Sequence, residues 1–308
     1  MPPPHRSPGA PIDRVGALLC LLSAAGFGAM AIFGKLAYEQ GVTTLTLLTV
    51  RFTLASVIFA VVLAARPSVG ASLRDGGRRA VLTGIGLGAI GYATQAGLFF
   101  AALQRLDASL LALVLYTYPA WVMLASFALG REHPTRPRVA ALGLSSCGLV
   151  LLLAGAAAGA LDAAGIAMGV GAALAYTAYI LVADRTELPP LALTVLVCAG
   201  AAGTLSVVGV LSGSLQLGFP ARGWLWLGLI AVCSTAVPIV AFFAGLARVG
   251  PSTAAILSSA EPVVTVVLAY LAFSEVLSVV QLAGASLVLG AAVLLATRRQ
   301  GVSAAPAD

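Results

Sequence analysis

Three ionisable side chains, Lys35, Arg51 and Glu261, interrupt long apolar stretches of this chain. Ionisable groups are costly at membrane depth, so those that occur there usually mark a substrate or ion pathway. A carboxylate and a guanidinium that face one cavity could bind a zwitterionic solute, or they could form a structural ion pair. Arg51 could also extend toward the interface, and Lys35 is close enough to the end of its stretch for that to be the simpler expectation. These residues are the first candidates for solute binding or coupling.

The depth of the two opposite charges favours a site near the middle of a membrane. At 1.5 Å of rise per residue, Arg51 and Glu261 each lie about 12 to 13 Å from the nearer end of their apolar stretch, in a hydrocarbon core of ~30 Å. A carboxyl group in such surroundings can change its charge near neutral pH. The sequence therefore predicts proton coupling at Glu261.

Polar and aromatic residues on other apolar stretches could complete a cavity around these charges. Each of them could instead pack between helices or anchor at the interface. The further binding or coupling candidates are Tyr92, Gln95, Tyr116, Tyr118, Trp121, Tyr176, Tyr179, Ser258 and Ser259. Pro119, Pro238 and Pro262 free backbone carbonyls and permit bends, so they are hinge candidates, with packing kinks as the alternative.

These candidates are carried by ten apolar stretches, each about long enough to cross a bilayer as a helix. The composition agrees, because 60% of the 308 residues are hydrophobic and only 9% are charged. We predict an all-α integral membrane protein with ten transmembrane helices at 15–38, 43–65, 79–103, 108–129, 137–155, 161–183, 190–212, 223–247, 252–273 and 278–297. The tails, 1–14 and 298–308, are expected to be disordered.

The last five stretches repeat the first five. A displacement of 143 residues aligns Phe99-Phe100-Ala101 with Phe242-Phe243-Ala244, Arg105 with Arg248, Pro119 with Pro262, and Glu132 with Glu275. Each repeat, 15–155 or 161–297, has an odd number of spans, so the two must cross the membrane in opposite directions, as in alternating-access carriers with a midplane site. Glu132 and Glu275 end helices, where the dipole disfavours a carboxylate, and their repetition indicates a repeated structural contact.

The distribution of basic residues predicts the orientation. Most of the 17 lysine and arginine residues lie in alternate connections and in the tails. Such residues remain on the cytoplasmic side, so we expect both termini in the cytoplasm. The net charge of +6 then reflects membrane topology, and a nucleic-acid partner is not expected. Arginine used almost to the exclusion of lysine, with abundant alanine and glycine, points to a GC-rich bacterial genome, and we expect the protein in the inner membrane of a bacterium.

The chain resembles the EamA-type carriers of the drug/metabolite transporter superfamily. The resemblance covers residues 15–297 and is carried by Ile32-Phe33-Gly34-Lys35, by Arg51-Phe52, and by the Pro119…Glu132 and Glu261-Pro262…Glu275 patterns. The first repeat departs from the second by having Tyr118 before its proline where the second has Glu261. The resemblance implies two inverted five-helix repeats. It also implies a secondary transporter, often an exporter, of a small organic metabolite such as an amino acid.

Other functions remain as alternatives. A passive channel or a lipid flippase would have the same apolar stretches. An intramembrane enzyme is disfavoured, because His5 and His133 lie outside the stretches and no catalytic motif or metal-ligand spacing appears, so neither a cofactor nor a metal is expected. The glycine pattern at 86–91 lies inside an apolar stretch, which favours close helix packing over dinucleotide binding. The carrier could act as a monomer or as a homodimer.

Overall fold

The computed structural model describes residues 13–65, 77–130, 135–156 and 162–298. The regular elements in these ranges are helices, and the ranges contain no strand. Eight helical segments are long and apolar enough to cross a membrane, and two shorter apolar helices accompany them. The prediction of an all-α, multi-pass membrane protein is confirmed. The two predicted tails lie almost entirely outside the described residues, as do Glu132 and His133.

The helices of the described ranges follow the ten predicted stretches, with bounds that differ by a few residues. Counting an interrupted helix as one, they are α1 (Arg14–Gly28 and Met30–Tyr38), α2 (Thr44–Ala64), α3 (Gly77–Gly86, Leu87–Tyr92 and Ala93–Leu103), α4 (Ala108–Leu115 and Tyr118–Ala128), α5 (Arg136–Ala156), α6 (Ala163–Ala183), α7 (Pro190–Leu211), α8 (Ala221–Ala231, Val232–Ala236 and Val237–Val249), α9 (Pro251–Ser258 and Glu261–Phe273) and α10 (Val279–Arg298).

Side chains with an acceptor oxygen fix the start of three helices. Asp13, Thr43 and Asp162 immediately precede α1, α2 and α6, and each accepts a hydrogen bond from a backbone N–H of the first turn. The first turn of a helix leaves its amides without partners inside the helix, and these caps satisfy them.

The outer surface of the bundle is strongly apolar. Leu18, Val61, Leu211 and Leu271, on four different helices, are each at least 65% exposed. Exposed aliphatic side chains on so many helices suit contact with lipid, whose chains are as apolar as leucine. The polar groups able to bind a solute are therefore sought in the interior.

Helix contacts follow the sequence repeat. α1 packs along α8 and α6 packs along α3, while α2 packs against α7 and α5 against α10. The repeat relates each helix to the helix five places later in the chain, so the α1–α8 contact corresponds to the α6–α3 contact. The α2–α7 and α5–α10 contacts each join two helices that the repeat relates. Small residues allow the close approach: a side chain at Gly148 of α5 would meet the backbone of Gly284 in α10, and the converse also holds.

Gly88, in the glycine pattern at 86–91, allows α3 to pack closely against α7. A side chain at Gly88 would collide with the backbone of Val197, and one at Gly200 would collide with the backbone of Ile85. Glycine is needed at both places because the two backbones touch.

Besides α1, four helices of the described ranges are interrupted, and the repeat relates the positions of their interruptions. α4 breaks at Tyr116–Thr117 and α9 at Ser259–Ala260, which are 143 residues apart, and α3 and α8 each contain a π-helical turn. Pro119, Pro262 and Pro238 lie in the first turn of the segment that follows a break or a π turn. Proline has no N–H to donate, so it is tolerated in a first turn and disrupts the turn before it.

Candidate functional site

A cavity of about 150 Å³ lies where the interrupted helices meet. Its walls come from α1, α2, α3, α4, α6 and α9. The lining residues are Phe27, Met30, Ala31, Arg51, Tyr92, Gln95, Ala96, Phe99, Phe100, Ala112, Leu115, Tyr116, Tyr118, Tyr176, Glu261, Pro262 and Thr265. An apolar cavity of about this volume holds a molecule the size of benzene, so the space suits a small solute.

Glu261 begins the second segment of α9. The N-terminus of a helix favours a negative charge. The Tyr116 hydroxyl lies 3.2 Å from Glu261 Oε2 and donates to the Ser258 carbonyl at 2.8 Å. That carbonyl would normally accept from residue 262, which is proline and has no N–H. Tyr116 thus compensates for the break in α9 and contacts the carboxyl group beside it.

Arg51 lines the cavity and is buried, with a residue exposure of 2%. Its Nε donates to Thr235 Oγ1 at 2.9 Å, and its guanidinium lies 4.8 Å from the ring centroid of Phe52 and 5.6 Å from that of Phe100. Thr235 is in the π turn of α8 and itself donates to the Ile230 carbonyl. The π turn therefore presents a hydroxyl to the arginine of α2.

Five tyrosines form a continuous series of ring contacts beside the cavity. The centroid distances are 5.9 Å from Tyr116 to Tyr118, 4.8 Å from Tyr118 to Tyr176, 5.9 Å from Tyr176 to Tyr179 and 5.4 Å from Tyr179 to Tyr92. Aromatic faces carry partial negative charge, so they attract ammonium groups as well as apolar surface.

The structure brings Arg51, Tyr92, Gln95, Tyr116, Tyr118, Tyr176, Glu261 and Pro262 of the sequence candidates to this cavity. Tyr179 lies behind Tyr176 and Tyr92. Trp121 donates from its indole to Thr117, the Ser259 hydroxyl bonds to the Ala255 carbonyl within its own helix, and Ser258 contributes its backbone carbonyl. Pro119 and Pro238 are not among the residues that line the cavity.

Lys35 lies away from this cavity, at one end of the bundle. We call this the Lys35 end, where α1 finishes and α4 begins, and the opposite one the Asp13 end, where α1 begins. Lys35 Nζ is 2.7 Å from Glu275 Oε1 and 3.8 Å from Asp107 Oδ1. The Glu275 carboxylate also accepts from the backbone N–H groups of Ala108 and Ser109 at the start of α4.

The end of α9 disfavours a carboxylate, but Glu275 lies beyond that end and at the N-terminus of α4, which favours one. Ser274 adopts a left-handed conformation with φ 56°, which turns the chain so that the carboxylate of Glu275 reaches the N-terminus of another helix. Burial alone would raise the pKa of Glu275, but the hydrogen bonds from Lys35 and from the amides of Ser109 and Ala108 outweigh it, so the pKa is lowered.

Sequence reasoning missed the apolar residues of the cavity and the threonine that binds Arg51. Apolar members such as Phe27 and Met30 carry no signal, because most residues of every stretch are apolar. Phe99 and Phe100 stood out only as part of the repeat. Thr235 had a weak signal, since Ser234-Thr235 is a polar pair a few residues before Pro238. What links Thr235 to Arg51 is the packing of α8 against α2.

Comparison with known proteins places the chain among transporters. The model of the EamA-like transporter family matches residues 14–154 and again 163–297. A protein of Archaeoglobus fulgidus named an uncharacterized transporter is 29% identical over 287 residues, which are 92% of this chain and 97% of that protein. A crystal structure with 19% identity has a TM-score of 0.62 and covers 94% of this chain and 99% of its own, which shows a shared fold.

Proposed function

The chain belongs to the EamA-like transporter family, and from that premise we propose that this membrane transporter is a secondary carrier that exports a small zwitterionic metabolite such as an amino acid. The observation that carries the proposal is that Arg51 and Glu261, from opposite repeats, line one small cavity at the breaks of α4 and α9. In the described residues these two charges are not joined by an ion pair. Each is thus available to an opposite charge on a solute.

The cavity supports a small solute with two charges. A carboxylate could be bound by the guanidinium of Arg51, and an ammonium by the carboxylate of Glu261 and the faces of the neighbouring tyrosines. The volume of about 150 Å³ suits a solute of few heavy atoms. Carriers with inverted repeats bind their solute in this way, where interrupted helices face each other near the midplane.

Proton coupling at Glu261 has support in the hydrogen bonds of Tyr116. A tyrosine hydroxyl has one hydrogen, and the shorter contact assigns it to the Ser258 carbonyl. The same hydroxyl reaches Glu261 Oε2 only at the longer distance of 3.2 Å, and its oxygen can also accept a hydrogen bond from a protonated carboxyl group. We infer that Glu261 alternates between binding a proton and binding the ammonium of the solute.

The location of the carrier follows from the same proposal. Because basic residues remain on the cytoplasmic side, we place the Asp13 end in the cytoplasm of a bacterium and the Lys35 end outside, with both termini cytoplasmic. The residues that line the cavity come from one chain, which supports transport by a monomer, and a homodimer would hold two such sites.

A thermal-stability screen of the purified protein tests the proposal. A ligand of the folded state adds about 2.7 kcal/mol at 100 times its dissociation constant. We expect a rise in melting temperature with at least one of the amino acids, and no rise with sugars or nucleosides. The effect should vanish in Glu261→Gln and in Arg51→Ala and persist in Glu187→Gln and Arg222→Ala, which alter exposed charges.

Counterflow in proteoliposomes distinguishes a carrier from a channel. Solute trapped inside should accelerate uptake of labelled solute in a carrier. Uptake that is insensitive to the trapped solute would contradict the proposal and favour a passive pore. Stabilisation by lipid headgroups alone would favour a flippase.

A further inference from the structure

The two ends of the bundle differ in how α4 and α9 close over the cavity. At the Lys35 end, Ala108–Leu115 of α4 packs against Glu261–Phe273 of α9 and against Met30–Tyr38 of α1. The repeat makes Pro251–Ser258 and Tyr118–Ala128 the equivalent pair at the Asp13 end. Among the described residues, those two segments make no contact of comparable extent.

Burial shows the same difference. Every residue from Ala108 to Val114 is buried, whereas in the equivalent segment Ala254 is the only buried residue between 253 and 258. The repeated ion pairs agree: Arg105 and Asp162 at the Lys35 end are 2.9 Å apart, and Arg248 and Asp13 at the opposite end are 3.7 Å apart. Among the described residues, α4 and α9 are therefore closely packed at the Lys35 end and more loosely packed at the Asp13 end.

One cluster of charges holds the closed end together. Glu275, which follows α9, binds Lys35 of α1 and the first two amides of α4, and its Oε2 also accepts from the Ser109 hydroxyl at 2.9 Å. The side chain of Glu275 is 6% exposed and that of Lys35 is 20% exposed. Lys35 Nζ lies 5.4 Å from the ring centroid of Phe273 as well. Three helices that must separate to open this end thus share one carboxylate.

In the second repeat, the position equivalent to Lys35 holds a different residue. Lys35 lies 22 residues after the capping residue Asp13, and the residue 22 places after the equivalent cap, Asp162, is Asp184. The sequence therefore has no cation at the position that corresponds to Lys35.

We propose that Lys35, Glu275 and the N-terminus of α4 form a latch that keeps the cavity closed at the Lys35 end in the resting carrier and that releases once in each transport cycle. The inference rests on the proposed alternating access. In that cycle the Glu275 carboxylate leaves the amides of Ala108 and Ser109, α4 separates from α9, and the cavity opens to the opposite side of the membrane.

Cysteine accessibility tests the latch without knowledge of the solute. The four native cysteines, Cys20, Cys147, Cys198 and Cys233, are replaced by alanine, and Ala96→Cys places a thiol in the wall of the cavity. A membrane-impermeant methanethiosulfonate carrying a quaternary ammonium is applied to vesicles of both orientations. We expect slow labelling from the Lys35 side in this parent, and labelling from that side at least ten times faster after Glu275→Gln or Lys35→Met.

The two latch variants should differ from each other and from a matched control. Glu275→Gln removes the partner of Lys35 and weakens the cap of α4, so it should accelerate labelling more than Lys35→Met. Asp162→Asn breaks the more exposed pair with Arg105 at the same end of the bundle and should leave the labelling rate within about twofold of the parent. Equal acceleration by this control would overturn the specific role of Glu275.

Two further outcomes separate the failure of the latch from that of the carrier mechanism. A cavity that stays closed from the Lys35 side in both latch variants overturns the latch alone. Fast labelling of the parent from both sides at once overturns the latch and the carrier mechanism together.

Hydrogen–deuterium exchange gives a second measurement that keeps the native cysteines. In full-length protein with Glu275→Gln, the amides of Ala108 and Ser109 lose an ionised acceptor and should exchange at least ten times faster than in the parent. Peptides from α7 serve as the internal reference. Unchanged exchange at the start of α4, in protein that elutes as a single folded species, would overturn the latch.

Discussion

Two glutamates at opposite ends of one helical segment have opposite environments. Glu275, just beyond the end of α9, has an ammonium, two backbone amides and a hydroxyl as partners. Glu261, at the start of the segment, has the Tyr116 hydroxyl at 3.2 Å as its side-chain partner among the described residues, and that hydroxyl also donates to the Ser258 carbonyl at 2.8 Å. A carboxylate whose acceptor sites are filled stabilises a fold, and one that is left with free sites can take a proton or a solute.

Replacing Glu261 should separate function from stability most clearly. We expect Glu261→Gln to remove the pH dependence of solute flux, because glutamine has the shape of the protonated acid and cannot titrate. Flux in the parent should vary about tenfold between pH 6 and pH 8, and in the variant less than about twofold. Counterflow in proteoliposomes at a series of pH values measures this, with Glu187→Gln as the control. If the pH dependence of flux is unchanged in Glu261→Gln, then Glu261 is not the group that couples transport to protons.

The Arg51→Ala variant tests whether a residue of the cavity wall also stabilises the fold. Arg51→Ala should lower the free energy of unfolding by about 2 to 4 kcal/mol, since it removes buried packing against Phe52 and Phe100 and a charge-assisted hydrogen bond to Thr235. Unfolding in mixed detergent micelles measures the loss. The exposed Arg222→Ala should change stability by less than about 0.5 kcal/mol. A loss of similar size in both variants would show that the effect is one of net charge.

Gly28 tests how closely α1 must approach Glu261. A Cβ at Gly28 would lie 2.7 Å from the Glu261 carbonyl oxygen and 2.9 Å from Val264 Cβ. Gly28→Ala should therefore displace the start of the second α9 segment and cost about 1 to 3 kcal/mol of stability, with weaker solute binding. Gly97→Ala is the matched control, because nothing lies within 4 Å of that position, and it should be neutral or slightly stabilising. Equal melting temperatures for the two variants would refute this contact.

Low pH should reduce the contribution of Glu275 to the free energy of unfolding. Its pKa is lowered in the folded protein, so its ionic and hydrogen-bonded contacts contribute stability above the ordinary glutamate pKa of about 4.3, and this contribution is lost as the pH falls through the lower folded value. The difference in unfolding free energy between the parent and Glu275→Gln should be about 1 kcal/mol from pH 6 to pH 8 and should shrink below pH ~4. A difference that grows on acidification would contradict this assignment.

The sequence predicted parts of the site that depend on local chemistry. Pro119 and Pro262 indicated breaks in two helices, and the breaks lie two residues before each proline, where a missing N–H disrupts the preceding turn. Arg51 and Glu261 stood out because charges are costly in apolar stretches. Lys35 was predicted by the same rule, yet it belongs to the cluster at one end, since its neighbours come from α4 and from the residues that follow α9.

The sequence by itself determined that this chain is an all-helical, multi-pass membrane protein, that its second half repeats its first, and that two opposite charges lie within its apolar stretches. These properties depend on apolar length, composition and spacing, which are local or periodic along the chain. Only the tertiary structure decided that Arg51 and Glu261 share a cavity, that Tyr116 occupies the carbonyl left free by Pro262, and that Glu275 caps α4. Those contacts join residues far apart in sequence, and the direction in which each helix presents its side chains is set by packing against its neighbours.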